Sequence, residues 1–487
     1  MGIVIKQSFK NTLILFLGFT IGGINVLFLF THFLDKDYYG LITFLLSAAN
    51  LILPLMVLGM QHTIIKFFST YKDKELQDGF LITSLLLPLL VIIPVGVFGM
   101  FAYDYIADLI SAKNPIIKKY TYLIFLVSLF MGYFEVFYAW TKVQFQSVVG
   151  NFIKEVFVRF MTALLLVAVY LGWLTNEQFI YAVVGVYFLQ VIIMFLYAIT
   201  VYKPKFKMVI PPNIKEILSF SGYIIMAGSA GTILLEIDKF MIPQMKQIAE
   251  VAYYSVGIYI ATVVALPTRA MQQIITPITA KEMNNDNFSE VEKLYKSSSI
   301  NLLVIGGLLF LLINLNLADM YLIINKPEFA NGFWIVLFIS MAKLYEMALG
   351  TGNAIIVNSS YYRIYFYLSI GMALTVIFLN KWLIDLLGIN GAAIATFLVV
   401  FIFNTIKIFF VKVKFDVQPF SLNSVKLVIV TTILLLLFLK VEFKLNPFIS
   451  IILKSGLIGI LYFIIVYYWK ISAEFNGFIN KNLKSFF

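Results

Sequence analysis

Long apolar runs, separated by short polar segments, dominate the chain. Of its 487 residues, 61% are hydrophobic and only 13% are charged, and the mean hydropathy is +0.94. A helix needs about 20 apolar residues to cross the hydrocarbon core of a bilayer, and many of the runs reach this length. The pattern predicts an all-α polytopic membrane protein with about 14 transmembrane helices. We place the spans at 11–32, 38–66, 80–108, 118–141, 152–174, 178–202, 216–243, 249–280, 297–317, 330–357, 361–384, 388–411, 424–440 and 447–469.

The polar segments are short, which limits the classes of function. The first span is too long for the apolar part of a cleaved signal peptide, and we expect it to remain in the protein. The longest polar stretch is Lys281–Ser298, so no segment outside the membrane is large enough to form a domain. A membrane glycosyltransferase needs a sizeable loop to hold acceptor and donor. We therefore expect no enzyme activity.

The basic residues are spread over the loops between spans. With the amino terminus inside the cell, inner segments carry about twice as many lysines and arginines as outer segments, which predicts that both termini are cytoplasmic. This bias accounts for the net charge of +11, and we expect no nucleic-acid partner. The chain has no cysteine and only two histidines, so we expect no metal site.

Two pairs of stretches point to an internal repeat. DYYGLITFLLSAANLILP, which ends at Pro54, resembles VAYYSVGIYIATVVALP, which ends at Pro267. KNPIIKKYTYLIFLVSLFMGYFE resembles NKPEFANGFWIVLFISMAKLYEM, with Pro115 opposite Pro327. The number of residues between each stretch and its counterpart is nearly the same for both pairs, which indicates a duplicated unit of six spans. Because six is even, both copies enter the membrane in the same direction, which predicts two parallel lobes with a substrate path at their interface.

The repeat predicts four parts. An N-terminal six-helix lobe covers 1–202, and a C-terminal six-helix lobe covers 216–415. Between them, 203–215 reads KPKFKMVIPPNIK, a basic stretch broken by proline that is typical of a linker, here a cytoplasmic one. The remainder, 416–487, contains two extra transmembrane helices and a cytoplasmic tail.

Charged residues inside the spans indicate a transport function. Each would cost about 3 kcal/mol if it faced lipid at mid-depth, so together they must pair, reach the interface or line a wet cavity. The seven residues are Glu135, Glu236, Asp238, Lys239, Arg269, Lys343 and Glu346. A spacing of three places Glu236 beside Lys239 and Lys343 beside Glu346 on one helix face, where each pair can form.

Three of the acids are candidates for a coupling or cavity role. Glu135 and Glu346 lie at almost matching depths in matching spans of the two repeats, and Asp238 has no partner on its own helix face. We interpret Glu135, Asp238 and Glu346 as cavity acids that could couple transport to H⁺ or Na⁺. The alternative is that they only pack or orient their helices.

Arginine is rare in this chain, and its positions are informative. The three arginines are Arg159, Arg269 and Arg363, whereas the loops use lysine. The planar guanidinium binds phosphate through two parallel hydrogen bonds. With Lys142 and Lys343, the arginines form our candidate site for an anionic headgroup. The alternative for the inner-end cations is that they follow the positive-inside bias.

These features resemble the polysaccharide biosynthesis proteins, the Wzx-type O-antigen and lipid-linked oligosaccharide flippases of the multidrug/oligosaccharidyl-lipid/polysaccharide exporter superfamily. The stretches that carry the resemblance are FLDKDYYGLITFLLSAANLILP and IDKFMIPQMKQIAEVAYYSVGIYIATVVALP. In the family, an aspartate and a basic residue in span 7 precede a short loop and an aromatic–glycine opening of span 8. Here these are Asp238, Lys239, Tyr254 and Gly257.

The resemblance implies that the protein turns a polyprenyl-diphosphate-linked oligosaccharide from the cytoplasmic to the outer leaflet by alternating access, for surface polysaccharide biosynthesis. It also implies a monomer in a bacterial cytoplasmic (inner) membrane, with membrane lipids around it and no cofactor. The alternative is a drug or small-molecule cation antiporter of the same superfamily. Many such antiporters carry an acidic residue in span 1, where this chain has Asn25, the repeat equivalent of Asp238.

Overall fold

The computed structural model describes residues 2–206 and 211–486, and within these ranges the regular structure is entirely helical. The α-helices are α1 (Gly2–Ile24), α2 (Phe30–Phe33), α3 (Lys36–Met56), α4 (Met60–Phe67), α5 (Lys74–Ser111), α6 (Ile116–Val143), α7 (Val148–Phe152), α8 (Val158–Tyr170), α9 (Asn176–Val201), α10 (Ile214–Met245), α11 (Ala249–Thr262), α12 (Leu266–Asn284), α13 (Phe288–Leu315), α14 (Leu317–Ile324), α15 (Phe333–Ala348), α16 (Gly352–Val357), α17 (Tyr362–Leu387), α18 (Ile389–Phe415), α19 (Leu422–Phe438), α20 (Pro447–Tyr468) and α21 (Ala473–Phe486). Two π-helical segments, Asn25–Leu29 and Ile153–Phe157, join α1 to α2 and α7 to α8. Short 3-10 segments lie at Phe68–Thr70, Val263–Ala265 and Pro327–Gly332.

Eleven helices in the described ranges are long and apolar enough to cross a membrane. The chain is therefore a multi-pass membrane protein, and the all-α class predicted from hydropathy is confirmed. The other predicted spans fall on helices that are interrupted or short. The π segment interrupts 152–174, a turn separates α15 from α16 within 330–357, and α19 has only 17 residues. The count of 14 and the orientation of the termini stay predictions.

The chain divides into two compact units, Met1–Ser255 and Val256–Phe487, here called unit 1 and unit 2. In unit 1, α6 is central: it packs along α3 on one side and α9 on another, and α10 packs along α3. Helix α10, which the repeat assigns to the C-terminal lobe, thus packs against α3 and α4 of unit 1. The predicted boundaries at 202 and 216 follow the sequence repeat, and they stay a prediction.

Both ends of the predicted linker are attached to unit 1. After α9, the Tyr202 hydroxyl donates to Asp78 Oδ1 at 2.6 Å, and before α10, Asn213 Oδ1 accepts from the Tyr71 hydroxyl at 2.5 Å. The middle of the linker, residues 207–210, lies outside the described residues.

In unit 2, α13 contacts α12, α15, α19 and α20. A buried ion pair ties α20 to α14: Lys454 Nζ lies 3.4 Å from Asp319 Oδ2 and donates to the Leu315 carbonyl at 3.1 Å. Ser450 Oγ also donates to Asp319, at 2.8 Å. The Lys454 side chain is only 5% exposed, so these contacts replace water around its charge. Helix α20 is thus held to α14 by this ion pair and by the Ser450 hydrogen bond.

Candidate functional site

A polar cavity lies inside unit 1. It consists of two adjoining pockets of about 320 and 310 Å³, whose walls share Asn50, Leu53, Glu135 and Lys154. The walls come from α3, α4, α6, α8, α9, α10 and the π segment before α8. Because several helices contribute polar side chains to one interior space, the cavity is the first place to look for a substrate site.

A break in the second span borders this cavity. Pro54 lacks an N–H donor and weakens the end of α3, and the chain then turns through Leu58 and Gly59, both with positive φ (49° and 62°). Helix α4 begins directly afterwards, and Gln61 and His62 from its first turn line the cavity. Non-helical backbone at membrane depth is tolerated where it borders protein or a water-filled cavity, as it does here.

Two ion pairs line the cavity. Glu135 Oε1 on α6 lies 2.5 Å from Lys154 Nζ on the π segment, with side-chain exposures of 20% and 45%. Arg159 Nη1 donates to both the carboxylate and the backbone carbonyl of Glu155, each at 2.9 Å. Lys142 adds a third cation, and its Nζ sits 3.7 Å from the centre of a tyrosine ring. The lining therefore holds three cations against two carboxylates.

The π segment Ile153–Phe157 carries both Lys154 and Glu155. Single π turns inside α-helices occur frequently at functional sites, because the wider turn re-aims side chains. Asn25 lies on the second π segment, in the first span, and its Nδ2 donates to the Arg159 carbonyl at 2.7 Å. A Cβ on Gly18 would lie 2.5 Å from the Glu155 carbonyl oxygen, so glycine there is what lets the first span approach the π segment this closely.

Three of the residues proposed from the sequence, Glu135, Lys142 and Arg159, meet in this cavity. Asp238 is elsewhere in unit 1: it is 3% exposed and accepts a short hydrogen bond from the Tyr254 hydroxyl. The aspartate and the aromatic residue of the span 7–8 motif therefore contact each other directly.

The spacing-based ion pairs are present. Lys239 Nζ lies 2.5 Å from Glu236 Oε2, which also accepts from Ser47 Oγ at 2.8 Å. In unit 2, Lys343 Nζ lies 3.0 Å from Glu346 Oε2 on α15. The i,i+3 rule thus identified the partners, although it did not show what else they contact.

The remaining candidates lie in unit 2. Arg269 on α12 is exposed, and Arg363 at the start of α17 is also exposed, with its Nε 3.4 Å from the Tyr362 hydroxyl. Lys343, Glu346, Arg269 and Arg363 belong to unit 2 and the cavity to unit 1, so the structure does not gather all candidates into one site within a unit. Their roles as headgroup ligands or coupling acids stay predictions.

Sequence reasoning missed several cavity residues. Lys154, Glu155, His62, Tyr187 and the buried Gln190 line the cavity, and none of them was among the residues proposed from the sequence. One signal was available: Glu155 stands four residues before Arg159, the spacing of a helical ion pair. In the described part of the chain, no three His, Asp or Glu side chains gather as they would around a metal ion.

Comparisons with known proteins agree with this architecture. The structure titled "Lipid II flippase MurJ, inward closed conformation" has a TM-score of 0.72 at 15% identity, covering 96% of this chain and 100% of that chain. The "Inward-facing conformation of a multidrug resistance MATE family transporter of the MOP superfamily" gives 0.59 at 13% identity, covering 84% and 94%. At such identities the likeness shows the fold alone. A search of curated protein sequences gives no match.

The family itself is shown by sequence. The profile described as "Polysaccharide biosynthesis protein" matches residues 8–280, which is more than half of the chain and includes every residue that lines the unit 1 cavity. This confirms the resemblance to the polysaccharide biosynthesis proteins that the span 7–8 motif and the early aromatic stretch indicated, and the Wzx type stays a prediction. The chain belongs to the polysaccharide biosynthesis protein family.

Proposed function

We propose that the protein is a flippase that moves a polyprenyl-diphosphate-linked oligosaccharide from the cytoplasmic to the outer leaflet by alternating access. The observation that carries the proposal is the cavity in unit 1, where Lys142, Lys154 and Arg159 lie among transmembrane helices of a polysaccharide biosynthesis protein. A diphosphate is the charged part of such a substrate, and cations in a partly dehydrated cavity are its natural ligands.

The acids give the cavity a second state. Glu135 pairs with Lys154, and Glu155 pairs with Arg159. An arriving diphosphate would compete with these carboxylates for the same cations. Arg159 would contribute a planar, permanently charged group, and Lys142 and Lys154 would contribute flexible point charges. The prenyl chain would remain in lipid, since the cavity walls hold many polar groups.

A cation antiporter is the second candidate. It is favoured by the two carboxylates in the cavity and by a fold that is also found in a MATE family transporter. In that function Glu135 and Glu155 would bind the cargo, and the cations would oppose it. The two candidates therefore predict opposite signs for the same charge substitutions.

A reconstituted flipping assay tests the proposal. The full chain is placed in liposomes with a fluorescent polyprenyl-diphosphate disaccharide, and label in the outer leaflet is quenched over time. We expect protein-dependent translocation that Arg159→Gln reduces at least about tenfold, and that Lys118→Gln leaves unchanged. Lys118 is a matched control because it pairs with Asp108 at 2.5 Å outside the cavity. Movement of ethidium under a proton gradient, with no lipid translocation, would overturn the flippase in favour of the antiporter.

The proposal also covers the location, the oligomeric state, the glycan class and the ion coupling of the protein. We place the protein in a bacterial inner membrane as a monomer with both termini in the cytoplasm, acting on an O-antigen type of glycan. Coupling to H⁺ or Na⁺ would use Glu135, Asp238 or Glu346. Loss of gradient dependence in one of the three carboxamide variants would identify the coupling acid, and gradient dependence in all three would exclude them. Arg269, Arg363 and Lys343 are proposed as further headgroup contacts, to be tested by alanine substitution in the same assay.

A further inference from the structure

His62 is a titratable residue of the unit 1 cavity to which the proposed function gives no role. It stands in the first turn of α4, and its exposed side chain lines the same pocket as Glu135, Lys142 and Lys154. Histidine is the residue type that ordinarily changes its charge between pH 5 and 8. The cavity therefore contains a group through which pH can act on the binding of a charged ligand.

The packing of α4 directs His62 toward the cavity. Met60 and Thr63, on the opposite face of the helix, are no more than 1% exposed. The Thr63 hydroxyl lies 3.0 Å from that of Ser221 on α10, which holds the two helices together. His62 and Ile65 are left on the face that lines the pocket. The backbone that carries the ring is thus fixed before a ligand arrives, which lowers the entropy lost on binding.

The imidazole of His62 is available to a ligand. Within residues 2–206 and 211–486, its ring nitrogens make no hydrogen bond or ion pair. The other histidine of the chain is different, because His32 Nδ1 lies 2.9 Å from the Phe28 carbonyl oxygen and 3.0 Å from the Thr31 hydroxyl. His32 is therefore already paired within its own helix, and it provides a matched control for His62.

Three charged groups lie near His62. Helix α4 packs against α5, α6 and α10, and among the described residues the charges that act on the ring are Glu135 and Lys142 on α6 and Lys154 on the π segment. The two lysines oppose a further positive charge on the imidazole, and the glutamate favours it. A bound diphosphate would add negative charge beside the ring and favour its protonated form. Protonation and anion binding would then strengthen each other by the same factor.

We propose that His62 is a proton-dependent ligand of the diphosphate headgroup. The protonated ring donates a hydrogen bond to a phosphate oxygen, and the proton comes from solvent and adds to the free ring nitrogen. No covalent bond to phosphorus forms or breaks. This inference rests on the proposed flippase function and adds regulation by pH to the same cavity. The affinity for a diphosphate should rise as the pH falls, and binding should be accompanied by uptake of a proton.

Calorimetric titration of the full chain in detergent micelles with farnesyl diphosphate tests the inference. At pH 6 we expect His62→Gln to bind about tenfold more weakly than the unmodified chain, the effect of losing one charge from a partly solvated site. At pH 8 the two should agree within about twofold, because an imidazole is ordinarily neutral there. Titrations at pH 7 in buffers with different heats of ionisation count the protons taken up. The unmodified chain should take up more protons than His62→Gln, and the ligand's own titration cancels in this comparison.

Two further variants keep the test decisive. His32→Gln should bind like the unmodified chain at both pH values. His62→Lys should bind at pH 8 about as tightly as the unmodified chain binds at pH 6, and it provides an independent test if His62→Gln folds poorly. The same pH dependence and proton uptake with and without His62, or equal weakening of His62→Gln at both pH values, would overturn the inference and leave the flippase standing. Failure of the unmodified chain to bind farnesyl diphosphate at either pH would instead overturn the proposed function, and this inference with it.

Discussion

Removing the charge of Glu135 and removing the charge of Lys154 should change headgroup binding in opposite directions. The two side chains line both parts of the unit 1 cavity and lie 2.5 Å apart. Glu135→Gln removes a negative charge that would repel a diphosphate, and it releases Lys154 to bind. Lys154→Gln removes one of the three cations and leaves Glu135 unpaired. The flippase proposal therefore predicts tighter binding in the first variant and weaker binding in the second.

The magnitude follows from the separation and exposure of the charges. Two unit charges 4 Å apart interact by about 1 kcal/mol in water and by about 4 kcal/mol at an effective dielectric constant of 20. Because Lys154 is 45% exposed, solvent screens it and the lower end applies. A value of about 1.4 kcal/mol corresponds to a tenfold change in Kd. We expect about a tenfold loss for Lys154→Gln, a gain of about five- to tenfold for Glu135→Gln, and near-native affinity for the double variant.

Calorimetric titration of the purified chain with farnesyl diphosphate at low salt measures these effects, since salt screens charges beyond about 10 Å at 0.1 M. Lys118→Gln and Asp108→Asn form the matched control, because that pair has the same 2.5 Å separation but lies outside the cavity. Weaker binding by Glu135→Gln would refute the reasoning. If ethidium binding weakens in Glu135→Gln and strengthens in Lys154→Gln, the cavity is a cation site and the antiporter function follows.

Three further predictions concern the stability of the fold. Asn114→Ala removes three hydrogen bonds to the backbone at the end of α10 and the following turn, and it should lower unfolding stability by about 2–4 kcal/mol in thermal denaturation. Gly40→Val should abolish the yield of folded protein, because a Cβ there would lie 2.0 Å from a backbone carbonyl oxygen. Gly96 has open space around it, so Gly96→Val should express normally. Equal yields of the two variants would contradict the packing. Lys454→Met should destabilise unit 2 by about 3–5 kcal/mol, because the buried Asp319 carboxylate loses its cation. Adding Asp319→Leu should restore most of the loss. If the second change does not relieve the destabilisation, the charge pair is not its cause.

The sequence predicted those features that depend on one helix at a time. The all-α membrane class follows from the apolar runs, because a membrane-spanning segment must satisfy its backbone internally and a helix does so. The Lys343–Glu346 and Glu236–Lys239 pairs follow from helical spacing, and both are present. Arg159 drew attention because arginine is rare in this chain, and it lines the cavity.

Features that join separate helices were not predictable in this way. Glu135 and Lys154 lie on different helices, and hydropathy carries no signal for the π segment that holds Lys154. The Lys454–Asp319 pair spans 135 residues of sequence, and each partner alone looks like a charge near a helix end. Among the described residues, no charged side chain lines the pocket of about 270 Å³ in unit 2, so a search for charges inside spans could not find it.

The balance of charge in the unit 1 cavity suits a site that must release its ligand better than it suits a site that retains its ligand tightly. Three cations with no counter-charge would be costly to hold among transmembrane helices, and they would retain a diphosphate too strongly to release it. Glu135 and Glu155 lower both costs, since each pairs with a cation at 2.5–2.9 Å and would compete with a headgroup for it. A carrier needs a site favourable enough to fill and weak enough to empty on the other side. In the proposed flippase the acids would regulate release, and a variant that binds more tightly, such as Glu135→Gln, should flip its lipid more slowly once the site is saturated.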